Sequence, residues 1–280
     1  MIGTCMTYPR QQWRLLITPP AHGAWNMAVD EALLEAVERA ESLPCLRLYA
    51  WEPACLSLGY AQPTVDIDFK RLSELGYEWV RRPTGGRAIL HTDELTYSVI
   101  APSSDPRVAG GVLESYQKLS TALLAALHAF GIPAEAHPGK SPVPGQADAA
   151  VCFEVPSNYE IVVAGKKIIG SAQARRKNCM LQHGTFPLCG DLARIIRVLS
   201  FQNESSRQEA AARLLSHATT AEIILGHKPR WQDAAQAFIS SFTSELDLNL
   251  SPSELTQQER ERVEILFQEK YSHPSWLRRI

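Results

Sequence analysis

The sequence predicts an α+β fold with a helical C-terminal extension. Three observations carry that expectation: the order helix, strands, helix, strands and then helices; a core-forming composition, 45% hydrophobic and 21% charged; and a switch to helical periodicity beyond Asp191. The expected division is a core over 13–190 and a helical part over 191–280 packed on the same domain. With 28 Lys+Arg against 30 Asp+Glu, the net charge of −2 argues against a duplex-DNA binder that works through global basicity. No apolar run approaches the roughly 18 residues of a membrane span, and Met1 to Pro20 lacks a basic region followed by an apolar stretch. A cytoplasmic protein with neither nucleic-acid nor membrane partners is expected.

The first helix is expected over Trp25 to Ala40. There Trp25, Val29, Leu33, Ala36, Val37 and Ala40 recur at helical spacing, while Asp30, Glu31, Glu35 and Glu38 should point away from the core. Strand-like runs follow at Leu46–Tyr49, Leu56–Gly59, Tyr77–Arg82 and Leu95–Ile100. Val112, Leu113, Tyr116, Leu119, Leu123, Leu124 and Leu127 mark a second helix, closed by Gly131 and Pro133. From Ala134 to Ala150 nothing is periodic, and its prolines and glycines read as a functional or mobile loop. A meander is then predicted: Asn158–Val163, a turn at Ala164-Gly165, Lys166–Arg175, a turn at Lys177-Asn178, and Cys179–Leu188. Trp231–Leu246 reads as a helix, and Thr256-Gln257-Gln258-Glu259 as a capping box opening the last one.

The six cysteines show no CxxC pair and no histidine at zinc-ligand spacing, so neither a disulfide framework nor a metal site is indicated. Three constellations can carry chemistry. In Arg81-Arg82-Pro83-Thr84-Gly85-Gly86-Arg87-Ala88-Ile89-Leu90-His91, the glycines allow close backbone approach and the arginines can hold an anionic group; the same residues also suit a hairpin turn with solvated arginines. Cys152 and Lys167, with Gly170-Ser171-Ala172-Gln173, can form a thiolate nucleophile beside a cation, although from the residues alone a buried inert thiol and a solvated strand lysine are the better fit. If Ala164-Gly165 is a two-residue turn, Lys167 faces Val162. Lys166, Lys167, Arg175, Arg176 and Lys177, with no intervening acid, give a local +5 suited to an acidic protein partner or to a solvated sheet face.

Taken together, these segments resemble the biotin/lipoate protein ligase and lipoyltransferase superfamily. Within it the similarity is to the cysteine-dependent octanoyltransferases of the LipM type. It is carried by Asn26-Met27-Ala28-Val29-Asp30-Glu31-Ala32-Leu33-Leu34, the run Arg81 to His91, Asp93 to Val99, Val151-Cys152-Phe153-Glu154, Pro156-Ser157, Gly170-Ser171-Ala172-Gln173 and Gln182-His183-Gly184, in that order. The resemblance implies a mixed or antiparallel sheet flanked by helices, like that of class II aminoacyl-tRNA and biotin synthetases. It implies transfer of an octanoyl group from octanoyl-acyl carrier protein to a lysine of a lipoyl domain, such as the glycine cleavage H protein, with no cofactor and no metal. By the same resemblance Cys152 is the nucleophile and Lys167 the residue that lowers its pKa. Arg82, Thr84, Gly85, Gly86, Arg87 and His91 form the acyl-site motif, and Gly170, Ser171, Ala172, His183 and Gly184 line the same cleft. Two positions depart from the pattern: Asn158 stands where tryptophan is expected and Glu154 where aspartate is common. The alternatives are an ATP-dependent lipoate–protein ligase, whose motif carries a third glycine where this chain has Arg87, and an amidotransferase acting between lipoyl-domain proteins.

Overall fold

The computed structural model describes residues 8–138 and 159–280. Cys152 and the segment 139–158 around it lie outside the described residues, as does most of the loop expected over Ala134 to Ala150. The chain runs β1 (Gln11–Ile17), α1 (Gly23–Glu38), β2 (Cys45–Tyr49), β3 (Cys55–Leu58), α2 (Phe69–Glu74), β4 (Glu78–Arg81), β5 (Ile89–His91), β6 (Glu94–Pro102) and α3 (Val112–Ala129). It continues through β7 (Glu135–Pro138), β8 (Tyr159–Val163), β9 (Lys166–Arg176), β10 (Cys179–Pro187), α4 (Glu204–His217), α5 (Ala221–Leu225), α6 (Trp231–Glu245), β11 (Leu248–Pro252), α7 (Gln257–Leu266) and α8 (Pro274–Leu277).

Eight strands form one mixed sheet in the order β11-β1-β2-β6-β10-β9-β8-β7. β1 pairs parallel with β11 and β2, and the remaining pairs are antiparallel. Helices cover both faces, so β2 is buried at every residue and its side chains divide between two cores. Leu46 and Leu48 join α3 and α6 through Leu119, Leu123, Phe238 and Phe242, whereas Cys45 and Tyr49 join α1 and α7 through Met27, Leu33, Val263 and Leu266. A smaller sheet, β4-β3-β5, packs its Leu56 and Leu58 on Ile195, Ile196 and α4.

The α+β class, with its mixed sheet flanked by helices, is the one the sequence predicts. α3 ends as expected: Gly131 has φ +84, its N–H bonds His128 O, and Ile132 N–H bonds Leu127 O, a pair that satisfies two terminal carbonyls. The capping box at Thr256 and Glu259 is formed. Four strands escaped the sequence reading, among them β5, which falls within the stretch read as a glycine turn. β1 and β11 pair parallel across more than two hundred residues, and β7 falls at the start of the stretch taken as a loop. The C-terminal part is therefore not purely helical, because it contributes β11 to the main sheet.

The acids of α1 need a larger correction. Glu31 and Glu35 are buried because α7 and the π-helical turn Phe267–Tyr271 pack on the face that should have met solvent, and Asp30 is buried because it faces the sheet beside Arg47 of β2. Glu31 takes Lys270 Nζ at 2.6 Å and Glu35 takes Arg262 Nε at 2.7 Å. At the opposite end of α7, Glu259 Oε2 lies 2.9 Å from Arg14 Nη2 of β1, with both residues buried. Removing one partner of such a pair leaves an uncompensated charge in the interior. Glu259→Ala also deletes half of the capping box, so it should lower unfolding stability by about 3 kcal/mol or more in urea titrations.

Candidate active site

β4 delivers Arg82 to the mouth of the loop Pro83 to Ala88, and Arg82 holds that loop from inside. Its Nη1 donates to Ser57 O and Ser57 Oγ, both at 3.0 Å; Nε and Nη2 donate to Gly85 O, and Nη2 also to Arg87 O at 2.7 Å. The five N–H groups of a guanidinium are thereby engaged with protein oxygens. Arg82 lines the cleft, but its role there is to shape the glycine loop. Gly86 sits at φ +89, and a Cβ on Gly59 would lie 1.9 Å from Gly86 O, so the loop stacks directly on the turn that follows β3.

Two buried histidines stand behind this loop, each aimed by a carboxylate. His183 Nδ1 lies 3.2 Å from Asp30 Oδ2, and its Nε2 lies 2.6 Å from Thr84 Oγ1. An ionised carboxylate only accepts, so Nδ1 carries the proton and the Thr84 hydroxyl donates to Nε2. Asp30 also accepts from Arg47 Nη1 at 2.7 Å, Ser98 Oγ at 3.0 Å and Tyr49 OH at 3.1 Å. Burial pushes its carboxyl up, but Arg47 and His183 outweigh this and hold it below its ordinary value. His91 repeats the pattern, with Nδ1 2.6 Å from Glu94 Oε1 and Nε2 2.7 Å from Ser57 Oγ. Its ring stacks on Trp51 at 3.9 Å, and Trp51 Nε1 donates to Thr96 Oγ1, which donates to Glu94.

The cleft enclosed by these groups is lined by Met27, Tyr49, Trp51, Arg82, Ile89, His91, Thr96, Gly170, Ser171, Ala172, His183, Gly184 and Thr185. The structure thus brings together Arg82, His91, Gly170, Ser171, Ala172, His183 and Gly184, with Thr84 bonded to His183. Gly85 and Gly86 are exposed on the loop above, beside half-buried Arg87. Gly184 is required by proximity, since a Cβ there would lie 2.6 Å from the Tyr97 ring and 2.7 Å from Gly170 O.

Ser171 and Ala172 also line a second cavity of about 300 Å³, with Val112, Leu113, Tyr116, Tyr159, Lys167, Gln173 and Gln182. Lys167 is buried there and pairs with Glu160 Oε1 at 3.0 Å. As the Ala164-Gly165 turn predicts, Lys167 faces Val162, but Ile169 faces Ile161, so Ile168 is one residue too many for the ladder. In a regular strand Lys167 would share a face with Ile169 and enter the core beneath α3. The bulge lets Ile168 and Ile169 both join that core and turns Lys167 to the opposite face, alongside Glu160.

The +5 run does not form a free basic patch. Arg176 pairs with Glu31 at 3.2 Å and Glu35 at 3.4 Å, Lys177 with Glu38 at 3.3 Å, and Lys167 with Glu160. Arg175 is exposed but folds back onto the carbonyls of Val108 and Gly111. The positive strand neutralises the acids of α1, a pairing invisible along the chain. Asp30, Ser57, Glu94 and Glu160 are the site residues that motif reading left without a role. For Asp30 a signal was present in the form of an acid among the apolar positions of α1. Cys45, Cys55, Cys179 and Cys189 are buried free thiols, and burial pushes Cys45 up to about 12, which makes it inert. Among the described residues no cluster of three His, Cys, Asp or Glu could hold a metal, and no helix is long and apolar enough to cross a membrane.

Residues 22–243 match the lipoyl protein ligase A/B catalytic domain. The chain belongs to this family. It is 42% identical over 271 residues to the octanoyltransferase LipM of Kyrpidia tusciae, covering 95% of this chain and 98% of the relative. It is 40% identical to the LipM of Carboxydothermus hydrogenoformans, over 95% and 98% of the two chains. Two solved structures share the fold. The bi-partite lipoate protein ligase of Thermoplasma acidophilum has a TM-score of 0.79 at 23% identity and covers 96% of each chain. Lipoate-protein ligase A bound with ATP has a TM-score of 0.76 at 24% identity, over 95% of this chain and 98% of that one.

For this lipoyl-ligase-family chain, His183 makes stability depend on pH. Burial pushes its imidazole below the ordinary value, against the pull of Asp30 and with Arg82 and His91 adding to the depression. The unfolded chain therefore takes up a proton near pH 6.5 that the folded chain refuses. The resulting stability is present above about pH 6.5 and is lost as pH falls from there toward the folded value. Urea titrations at several pH values should show this component in the native protein and not in His183→Gln. A difference between the two proteins that is constant with pH would contradict it.

Proposed function

We propose that this chain transfers an octanoyl group from octanoyl-acyl carrier protein to a lysine of a lipoyl domain, through an acyl thioester on Cys152. The octanoyltransferase activity in lipoate biosynthesis follows from relatives named LipM that match it along 95% of its length. The archaeal neighbour was solved as part of a lipoylation system with its E2 lipoyl domain, which supports the acceptor class. The observation that carries the mechanistic reading is Lys167. It is a buried cation turned out of the core by a bulge, on the wall shared with the acyl cleft, and the chain enters that wall at Tyr159, seven residues after Cys152.

In this reading the acyl chain enters between Met27, Trp51, Ile89 and the Gly170–Ala172 strand, where a space of about 20 Å³ must widen to admit it, and the Arg82-braced loop borders it. Lys167 stabilises the Cys152 thiolate, which attacks the donor thioester; the carrier thiolate leaves and takes up the proton. The acceptor amine then attacks the enzyme thioester and Cys152 leaves. No ATP is consumed, which separates this chemistry from adenylate-forming ligation.

The test is incubation with octanoyl-acyl carrier protein in the absence of ATP, followed by intact and peptide mass spectrometry. An octanoyl adduct at Cys152 is expected. Cys152→Ala should fold normally and form none. Lys167→Ala should load slowly, with a residual rate that rises as the pH is raised toward the unperturbed thiol pKa of about 8.5. Transfer that persists in Cys152→Ala and requires ATP would replace this reading with the ligase. A marked preference for an octanoylated lipoyl domain over the acyl carrier as donor would replace it with the amidotransferase.

A further inference from the structure

Lys167 has a carboxylate partner that no sequence motif includes. Glu160 is largely buried and holds the Lys167 ammonium at 3.0 Å as its diagonal neighbour across β8 and β9. On the other side of β8, His137 lies directly opposite Glu160 in the β7 ladder, and its ring is 3.0 Å from Glu135 Oε1. Side-chain exposure rises along this face from 8% at Lys167 through 18% at Glu160 to 55% at His137. A row of charged and titratable groups thus runs from the buried lysine to water.

The two half-reactions make different demands on such a row. Loading converts a thiol and a thioester into a thioester and a thiol, with no net proton. Transfer converts a thioester and an ammonium into an amide and a thiol, and releases one proton. The incoming ε-ammonium must also approach Lys167, a like charge that repels it. We propose that Glu160 receives the acceptor lysine: its carboxylate binds the ε-ammonium, takes one of its protons and passes that proton through His137 to solvent. This rests on the thioester reading above. The neutral amine forms the C–N bond as the C–S bond breaks, and the remaining ammonium-derived proton goes to the departing Cys152 sulfur. Lys167 favours deprotonation of the acceptor by like-charge proximity, while Glu160 makes its approach possible. Among the described residues, the titratable groups facing Glu160 are Lys167 on β9 and His137 and Glu135 on β7, with the phenols of Tyr116 and Tyr159 at the cavity wall.

The test separates the half-reactions in the full-length enzyme. Glu160→Gln and Glu160→Asp, each shown by circular dichroism and melting to be folded, are loaded with octanoyl-acyl carrier protein, isolated and mixed with a purified lipoyl domain. Glu160→Gln should raise the acceptor concentration for half-maximal transfer about tenfold or more, the loss expected for a charge-assisted contact. It should also move the transfer profile to higher pH, because the amine must then arrive already neutral. Loading should fall much less than transfer, because Glu160 meets the acceptor amine only in the second half-reaction, and Glu160→Asp should recover part of the transfer. Equal loss in both half-reactions, or unchanged transfer, would overturn the proposal. Absence of any Cys152 adduct in the unsubstituted enzyme overturns the thioester reading and this inference with it, whereas a normal adduct with unaltered transfer overturns this inference alone.

Discussion

The ion pair between Asp30 and Arg47 is sealed from water on both sides at 2.7 Å, and the arrangement of the site depends on it. Two charges removed from water are costly, and their attraction offsets the cost only when the remaining donors and acceptors are also satisfied. Here they are. Arg47 donates from Nη1 to Asn26 O at 3.1 Å, from Nη2 to Asn26 Oδ1 at 2.7 Å and from Nε to Thr18 Oγ1 at 3.1 Å, and it stacks on Tyr49. Asp30 accepts from Ser98 and Tyr49 as well as from His183. An apolar pair of equal volume could stabilise the fold as well, but nothing would then hold His183 in one tautomer. The pair is best understood as fixing position, and stability is secondary.

From that pair the order spreads outward through hydrogen bonds whose directions follow from what each group can donate. Thr84 donates to His183 and His183 to Asp30, which ties the glycine loop to α1 through β10. A second chain runs beside it: Arg82 donates to Ser57, Ser57 to His91 and His91 to Glu94, which ties the same loop to β3 and β6. In the second chain burial pushes the Glu94 carboxyl up, yet His91 and the surrounding hydrogen bonds bring it below its ordinary value. Both sides of the cleft behind the glycine loop are therefore held in place by buried hydrogen bonds.

How much of this could be read along the chain depended on the range of each interaction. Helices α3, α6 and α7 were legible because their periodicity and caps are local: Gly131 and the Thr256–Glu259 box act within one turn. The meander β8–β10 was legible for the same reason, and its turn placed Lys167 opposite Val162. Glu31 and Glu35 were misread because their partners, Lys270 and Arg262, lie more than two hundred residues away, and Asp30 because its partners Arg47, Ser98 and His183 stand on three separate strands of the sheet. Arg176 and Lys177 were misread for the complementary reason. β1 and β11 gave no local sign of one another, since a parallel pair needs no turn between its strands. Within the site, motif reading found the groups that face the cleft and missed Asp30, Ser57, Glu94 and Glu160. Those act through other side chains, and only the folded neighbourhood reveals which.

The bulge at Ile168 shows how narrow the margin between core and chemistry is in this fold. A β-strand has a side-chain period of two, so in a regular β9 Lys167 would follow Ile169 into the apolar layer beneath α3, and an unpaired ammonium there would be unsustainable. One extra residue reverses its direction. The two isoleucines supply the core contacts that the strand owes α3 and α6, and the lysine is released to the opposite face, where Glu160 compensates its charge. The irregularity in the ladder therefore belongs to the site as much as its side chains do.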